Sequence, residues 1–154
     1  MKSPDIQTAV LVYVVKNNKL LLSRKARKVN AGKLTSFGGK FENNESEIEC
    51  VQRELKQESG LNVEASALRK AAIIDFHNTD TDVWRVHTYI ANKFSGTPKS
   101  TDEMTNPKWY DISKLPFDEM PWSDHFWLPL LLAGKKLKVV VYKEPLSISI
   151  KNLE

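Results

Sequence analysis

One helix constrains this chain more than any other feature, because both of its ends are specified by side chains and its polar face is chemically awkward. Ser46 and Glu49 form a capping box, each satisfying a backbone amide that a first turn leaves open. Ile48, Val51 and Leu55 recur at helical spacing, and Gly60 stands where a left-handed residue closes a helix, so a helix is predicted over about Ser46 to Ser59. Glu54 and Glu58 lie four residues apart in it, which puts two carboxylates on one face with Cβ atoms about 5 to 6 Å apart. Glu58 also falls in the last turn, where the helix dipole disfavours negative charge. Such a pair lowers stability unless a cation or an arginine lies between them. A hard cation accounts for it best, since Mg2+ takes oxygen ligands, commonly one or two carboxylates with waters and substrate phosphates. Gly38 and Gly39 just upstream let backbone approach a ligand and present a carbonyl oxygen with no side chain in the way. Arg53 adds a planar fork able to orient Glu45 or a metal-binding carboxylate.

Around that helix the chain alternates strand and turn signals. Thr8 to Val15 is β-branched and almost wholly apolar, the turn-forming Lys16-Asn17-Asn18-Lys19 follows, and Leu20 to Leu22 is a second apolar run: a hairpin buried on at least one face. From Val29 to Gly39 a loop leads into a short strand around Phe37. Ala71 to Phe76 and Val83 to Ala91 read as strands around the turn His77-Asn78-Thr79-Asp80, and Lys108 to Asp111 as a shorter one. A second helix is predicted over Asp124 to Ala133, closed by Gly134 with Lys135 and Lys136 near its negative end. Pro129 sits badly there, so the regular helix is expected to begin as late as Trp127 or to bend at the proline. Lys138 to Tyr142 is a last strand, and a short alternating stretch, Leu146 to Ile150, follows Pro145.

With 154 residues, 41% of them hydrophobic and 27% charged, the chain (residues 1–154) is read as a single domain. No window approaches the roughly 18 apolar residues of a membrane span, which predicts a soluble, unexported protein without membrane contacts. Cys50 is the only cysteine, which excludes an intramolecular disulfide framework and a thiolate metal cage and suits a cytoplasmic location. Its place in the helix marks it as inert packing. The formal net charge of +4 is spread over 23 basic and 19 acidic residues interspersed along the chain. That balance suits an anionic small molecule and falls short of a stable nucleic-acid partner. Arg24, Lys25, Arg27 and Lys28 are the densest basic patch, read chiefly as solvated surface, with Lys25 kept among the substrate-binding candidates. His77, His87 and His125 lack metal-ligand spacing.

The segment from Gly39 to Leu61 resembles the Nudix box: glycine, five residues, glutamate, seven residues, Arg-Glu-aliphatic, one residue, Glu-Glu, one residue, glycine and an aliphatic. Every specified position matches except Gln57, where the family usually has the first glutamate of its pair. Phe37-Gly38-Gly39-Lys40, Gly96-Thr97-Pro98, Asp102-Glu103-Met104, Leu115-Pro116-Phe117 and Trp127-Leu128-Pro129-Leu130-Leu131-Leu132 extend the likeness toward the Nudix branch that hydrolyses oxidised purine nucleoside triphosphates. The resemblance implies an α/β fold, an α/β/α sandwich around a curved mixed β-sheet. It implies a metal site from Gly39, Glu54, Gln57, Glu58 and Glu103, a catalytic set of Arg53, Glu54, Glu58 and Glu103, and Mg2+ as cofactor with Mn2+ as a possible substitute.

The chemistry implied is attack of water on the triphosphate of a small-molecule nucleotide, giving monophosphate and pyrophosphate, by a monomer or homodimer. Thr35, Phe37, Lys25, Trp122 and Asp124 fall at substrate-contacting positions, although Ser123, Thr35 and the Pro121-Trp122 order depart from relatives. Trp122 could stack on a purine and Asp124 bond its edge, while Trp127 is given to the core. Two other readings stay open: a Nudix hydrolase acting on another nucleoside diphosphate derivative, and a non-catalytic nucleotide-binding module, which Gln57 makes plausible.

Overall fold

Strand β1 (Ile6–Lys16) organises the computed structural model, which describes residues 5–143 and 146–153. Val10, Val12 and Val14 enter one apolar cluster and Tyr13 enters a second, with Leu11 and Val15 packed against the latter. A strand with core on both faces has no polar side to show, which is why residues 8–15 are almost uninterruptedly apolar. At its end Lys16 pairs with Lys19 across Asn17 and Asn18, whose φ values of 51° and 62° are the left-handed pair of a tight hairpin turn.

The chain continues through β2 (Lys19–Lys25), β3 (Leu34–Thr35), β4 (Phe37–Lys40), α1 (Glu47–Ser59), β5 (Leu68–His77), β6 (Val83–Ala91), β7 (Met104–Asp111), α2 (Asp124–Leu132), β8 (Leu137–Lys143) and β9 (Leu146–Asn152). One edge of β1 pairs in parallel with β6. The other edge changes partner along its length, antiparallel to β4 at residues 9–12 and to β2 at 15–16. The sheet therefore forks: β6, β5, β8 and β9 extend one way, while β2 carries β3 and β7. α1 covers one face, adding Cys50, Val51 and Leu55 to the Val10 cluster. α2 covers the other with Trp127, Leu128 and Leu131. The result is the expected α/β/α sandwich on a mixed sheet.

Three expectations need adjustment. α2 begins at Asp124, not as late as Trp127, and runs on through Pro129 to Leu132. Burial of Trp127, Leu128 and Leu131 outweighs the one backbone bond that proline cannot donate. Closure follows the expected glycine, with Gly134 at φ 98°, its N–H on Leu131 O at 3.0 Å and the Lys135 N–H on Leu130 O at 3.1 Å. β7 starts four residues before Lys108, because an extra residue near Asn106 (φ 49°) and Pro107 interrupts the pairing between Leu22 and Arg24 and hides the strand's period. The alternating stretch after Pro145 is a full edge strand, β9, antiparallel to β8; Pro145 itself lies outside the described residues.

Candidate active site

α1 carries the site, and its ends are built as the sequence implies. Ser46 Oγ accepts the Glu49 N–H at 3.1 Å, Glu49 Oε1 accepts the Ser46 N–H at 2.9 Å, and Gly60 closes the helix at φ 80°. β4 arrives beside it with no side chains in the way. An added Cβ on Gly38 would strike the Val10 carbonyl of β1, and one on Gly39 would lie 2.5 to 2.8 Å from the Glu54 carboxylate. Glycine at 39 is what allows backbone and Glu54 to share this space.

Arg53 is the hub. Its guanidinium grips Glu45 with two bonds, Nε to Oε2 at 2.6 Å and Nη2 to Oε1 at 2.9 Å, and reaches Glu54 Oε1 at 2.8 Å, Gln57 Oε1 at 3.2 Å and the Lys40 carbonyl at 3.0 Å. The hydrogen bonds from Arg53 hold the Glu45 carboxyl down at about 2. Within the expected catalytic set, Arg53 thus holds Glu54 in place while anchored on Glu45.

Glu58 is 4% exposed and accepts the Gly38 N–H at 2.9 Å. Burial pushes its carboxyl up to about 8; the Gly38 bond opposes this and the charges of Glu54 and Glu103 add to it. Glu54 is raised in the same direction, again chiefly by burial. Glu103 comes from the loop before β7. Thr101 docks that loop on the end of α1, its Oγ1 donating to Glu58 O at 3.1 Å, and Ala26 N–H holds it from the other side through Glu103 O at 2.8 Å. Burial alone would raise the Glu103 carboxyl, but Lys28, Lys25 and Arg27 outweigh it and hold it below its ordinary value.

Lys25, Gly39, Glu54, Gln57, Glu58 and Glu103 line one cleft of about 520 Å3, so the metal-site candidates and the phosphate candidate meet. Lys28, Lys40, Glu42, Thr101 and Asp102 line it too and were not named from sequence as site residues; only the density of the basic patch hinted at Lys28. Thr35, Trp122 and Asp124 are not in its wall. Thr35 Oγ1 lies 4.0 Å from Met104 Sδ, and Trp122 is 38% exposed beside Phe126. Asp124 is 6% exposed, and burial pushes its carboxyl up to about 7. Phe37 corrects the list of substrate contacts: its side chain is wholly buried in the cluster under α1 and offers no surface to a ligand. Trp127 is core as expected, edge-on to Tyr13 at 6.1 Å with Nε1 3.4 Å from Ser123 Oγ.

A sequence profile described as the NUDIX domain matches residues 5–131. The chain belongs to the Nudix family. Among Nudix relatives, the oxidized purine nucleoside triphosphate hydrolase of Danio rerio is 40% identical over 127 residues, covering 82% of this chain and 80% of that protein. The protein of the same name from Mus musculus is 36% identical over the same shares. The 8-oxo-dGTP diphosphatase of Escherichia coli is 26% identical over 117 residues, 75% of this chain and 88% of that protein. In fold, the chain superposes on the crystal structure of a MutT protein from Bacillus halodurans with a TM-score of 0.75 at 20% identity, covering 96% of this chain and 97% of that one.

Nudix hydrolases generally need divalent metal ions. Among the described residues no three acidic, imidazole or thiol side chains converge closely enough to enclose one. Each carboxylate instead has a positive stand-in: Glu54 the Arg53 guanidinium, Glu58 the Gly38 N–H, Glu103 the Arg27 and Lys28 charges at 3.6 and 3.5 Å. The donors still fit a hard cation. They are oxygens facing one cleft, two of them on carboxyls that burial raises above their ordinary value, and the Gly39 backbone reaches them where a Cβ would not fit.

Proposed function

We propose that this chain hydrolyses oxidised purine nucleoside triphosphates to the monophosphate and pyrophosphate, using Mg2+, which Mn2+ can replace. One observation supports the reading above the others: Glu54, Glu58 and Glu103 face the same cleft as Lys25, Lys28 and Lys40. Acid for a metal ion and base for a phosphate chain are needed together in such a reaction, and this cleft brings them together.

Gly39 O, Glu54, Glu58, Glu103 and the Gln57 amide oxygen would hold the ion. When bound, it supplies a more acidic water and neutralises charge on the phosphate oxygens. The chain's own residues do the rest. Arg53 keeps Glu54 and the Lys40 carbonyl in register. Glu58, whose raised carboxyl value lies near neutrality, holds or releases a proton within the working range of pH. Lys25 meets the phosphates. Asp124, held near 7 by burial, populates both acceptor and donor forms at neutral pH, suited to the edge of an altered purine, with Trp122 and Thr35 beside the same base. Among the described residues no helix is long and apolar enough to cross a membrane. A single cytoplasmic domain, monomeric or dimeric, completes the reading, and the free, buried Cys50 is compatible with a reducing compartment.

The test is pyrophosphate release from a panel of oxidised and ordinary nucleoside triphosphates with Mg2+ or Mn2+, with Glu58→Ala as control. Preference for oxidised purines, lost in the variant, supports the proposal. Release from ordinary nucleotides alone would move the substrate to another Nudix class. Binding without turnover would make this a nucleotide-binding module.

A further inference from the structure

The loop between β2 and β3 is tied to itself and to the site. The Lys25 N–H donates to Lys33 O at 2.9 Å, the Gly32 N–H to Lys25 O at 2.7 Å, and the Ala26 N–H to Glu103 O at 2.8 Å. Inside it Lys28 has φ 67°, a left-handed backbone that glycine takes freely and a lysine takes at a cost. Non-glycine residues hold such conformations where the surroundings enforce them, and such positions cluster at working sites. Here the turn is closed by the Ala31 N–H on Lys28 O at 3.2 Å, and the side chain lines the metal cleft with Nζ 3.5 Å from Glu103 Oε1.

The stand-ins for positive charge differ in how firmly they are held. Arg53 is pinned by Glu45 and the Lys40 carbonyl, and the Gly38 N–H belongs to a strand. The Lys28 side chain is 69% exposed and has Glu103 as its one partner among the described residues. It can leave.

We propose that Lys28 is a phosphate-binding residue held in reserve by Glu103: that carboxylate retains the ammonium while it has no metal ion to bind, and yields it to the outer phosphates of the nucleotide once a divalent cation takes its oxygen. The inference rests on the nucleotide triphosphatase reading above. The charges favour it. A carboxylate shared between an ammonium and a divalent cation binds each less well than it binds either alone, while a triphosphate offers the displaced lysine more negative charge than Glu103 does. Lys28 and the cation therefore compete in the empty cleft and cooperate in the filled one.

That change of sign is what the experiment reads. Mg2+ binding to the full-length protein without nucleotide, and binding of a non-hydrolysable purine triphosphate with saturating Mg2+, are measured by calorimetry for wild type, Lys28→Met, Lys28→Gly and Lys33→Met. Lys28→Gly keeps the left-handed turn without the ammonium; Lys33→Met removes an equal charge from the same loop outside the cleft wall. Both Lys28 variants are expected to bind Mg2+ about two- to fivefold more tightly and the triphosphate about five- to tenfold more weakly, with the monophosphate almost unaffected and Lys33→Met like wild type. Equal effects in Lys33→Met would reduce the result to general charge and overturn the proposal. So would triphosphate affinity retained in either Lys28 variant, or Mg2+ affinity that does not rise. A wild-type protein that binds Mg2+ but no triphosphate would instead overturn the function proposed for the site, and this inference with it.

Discussion

The Arg53 guanidinium clasps the Glu45 carboxylate through two bonds of 2.6 and 2.9 Å while the remaining nitrogen holds Glu54 at 2.8 Å, so one residue of α1 fixes both the loop before the helix and a carboxylate facing the cleft. A lysine keeps the charge but has no planar fork. Arg53→Lys is expected to fold, with a melting temperature lowered by a few degrees, and to lose about 10- to 100-fold in kcat or metal affinity. Steady-state kinetics across a Mg2+ titration, beside a thermal melt, check this; full activity in the variant would deny Arg53 its positioning role.

The two glycines of β4 are expected to fail in different ways. A Cβ at Gly38 meets backbone, the Val10 carbonyl, and can be relieved only by opening the β1–β4 pairing, so Gly38→Ala should lower stability by more than 1 kcal/mol or so. A Cβ at Gly39 meets the end of the Glu54 side chain, which can swing aside. Gly39→Ala should therefore keep its fold and lose Mg2+ affinity and turnover. Chemical denaturation combined with metal titration separates the two.

Glu58 makes stability depend on pH in a sign opposite to that of a salt-bridged acid. Its carboxyl is near 8 when folded against an ordinary 4.5, so the charged form is penalised in the fold. Its favourable contribution is complete below about 4.5 and is lost as pH rises through about 8, and Asp124, raised to about 7, adds in the same direction. Metal-free protein should melt at progressively lower temperature between these limits. Mg2+ should restore the loss at high pH by stabilising the charged form, and Glu58→Gln should flatten the curve while removing activity. Melting scans from pH 4 to 9, with EDTA or Mg2+, are the measurement; a curve that rises with pH would contradict the burial argument.

Gln57 lines the cleft and accepts from Arg53 at 3.2 Å, keeping a carbonyl oxygen where the Nudix box usually has a carboxylate. Gln57→Glu adds a charge to that oxygen set and is expected to raise activity several-fold at limiting Mg2+, with little change at saturation. An unchanged metal dependence would exclude position 57 from the ion's surroundings.

Much of this was legible in the chain, and the reason is locality. The capping box, the left-handed Gly60 and the hairpin at Asn17-Asn18 depend on residues within a few positions of one another, and each is formed as read. The box residues on α1 were legible for the same cause, since helix geometry alone puts Glu54 and Glu58 on one face. Errors arose where partners are distant. Pro129 inside α2 is carried by packing on the sheet, the bulge near Asn106 by the register of β2, and the burial of Phe37 by the approach of α1.

By itself, then, the sequence determined most of the elements and the pairing of two carboxylates on one helix face, because those follow from short-range spacing, while the sandwich and the chemistry of the box came with the Nudix resemblance. Only the tertiary structure decided which charges meet: that Glu103 is delivered to the cleft by a loop docked through Thr101, that Lys28 is bent toward it by a left-handed turn, and that Glu58 sits in a setting dry enough to resist ionisation. Burial and charge proximity are properties of three-dimensional neighbours, and residues 28, 58 and 103 become neighbours only when the sheet and α1 close on one another.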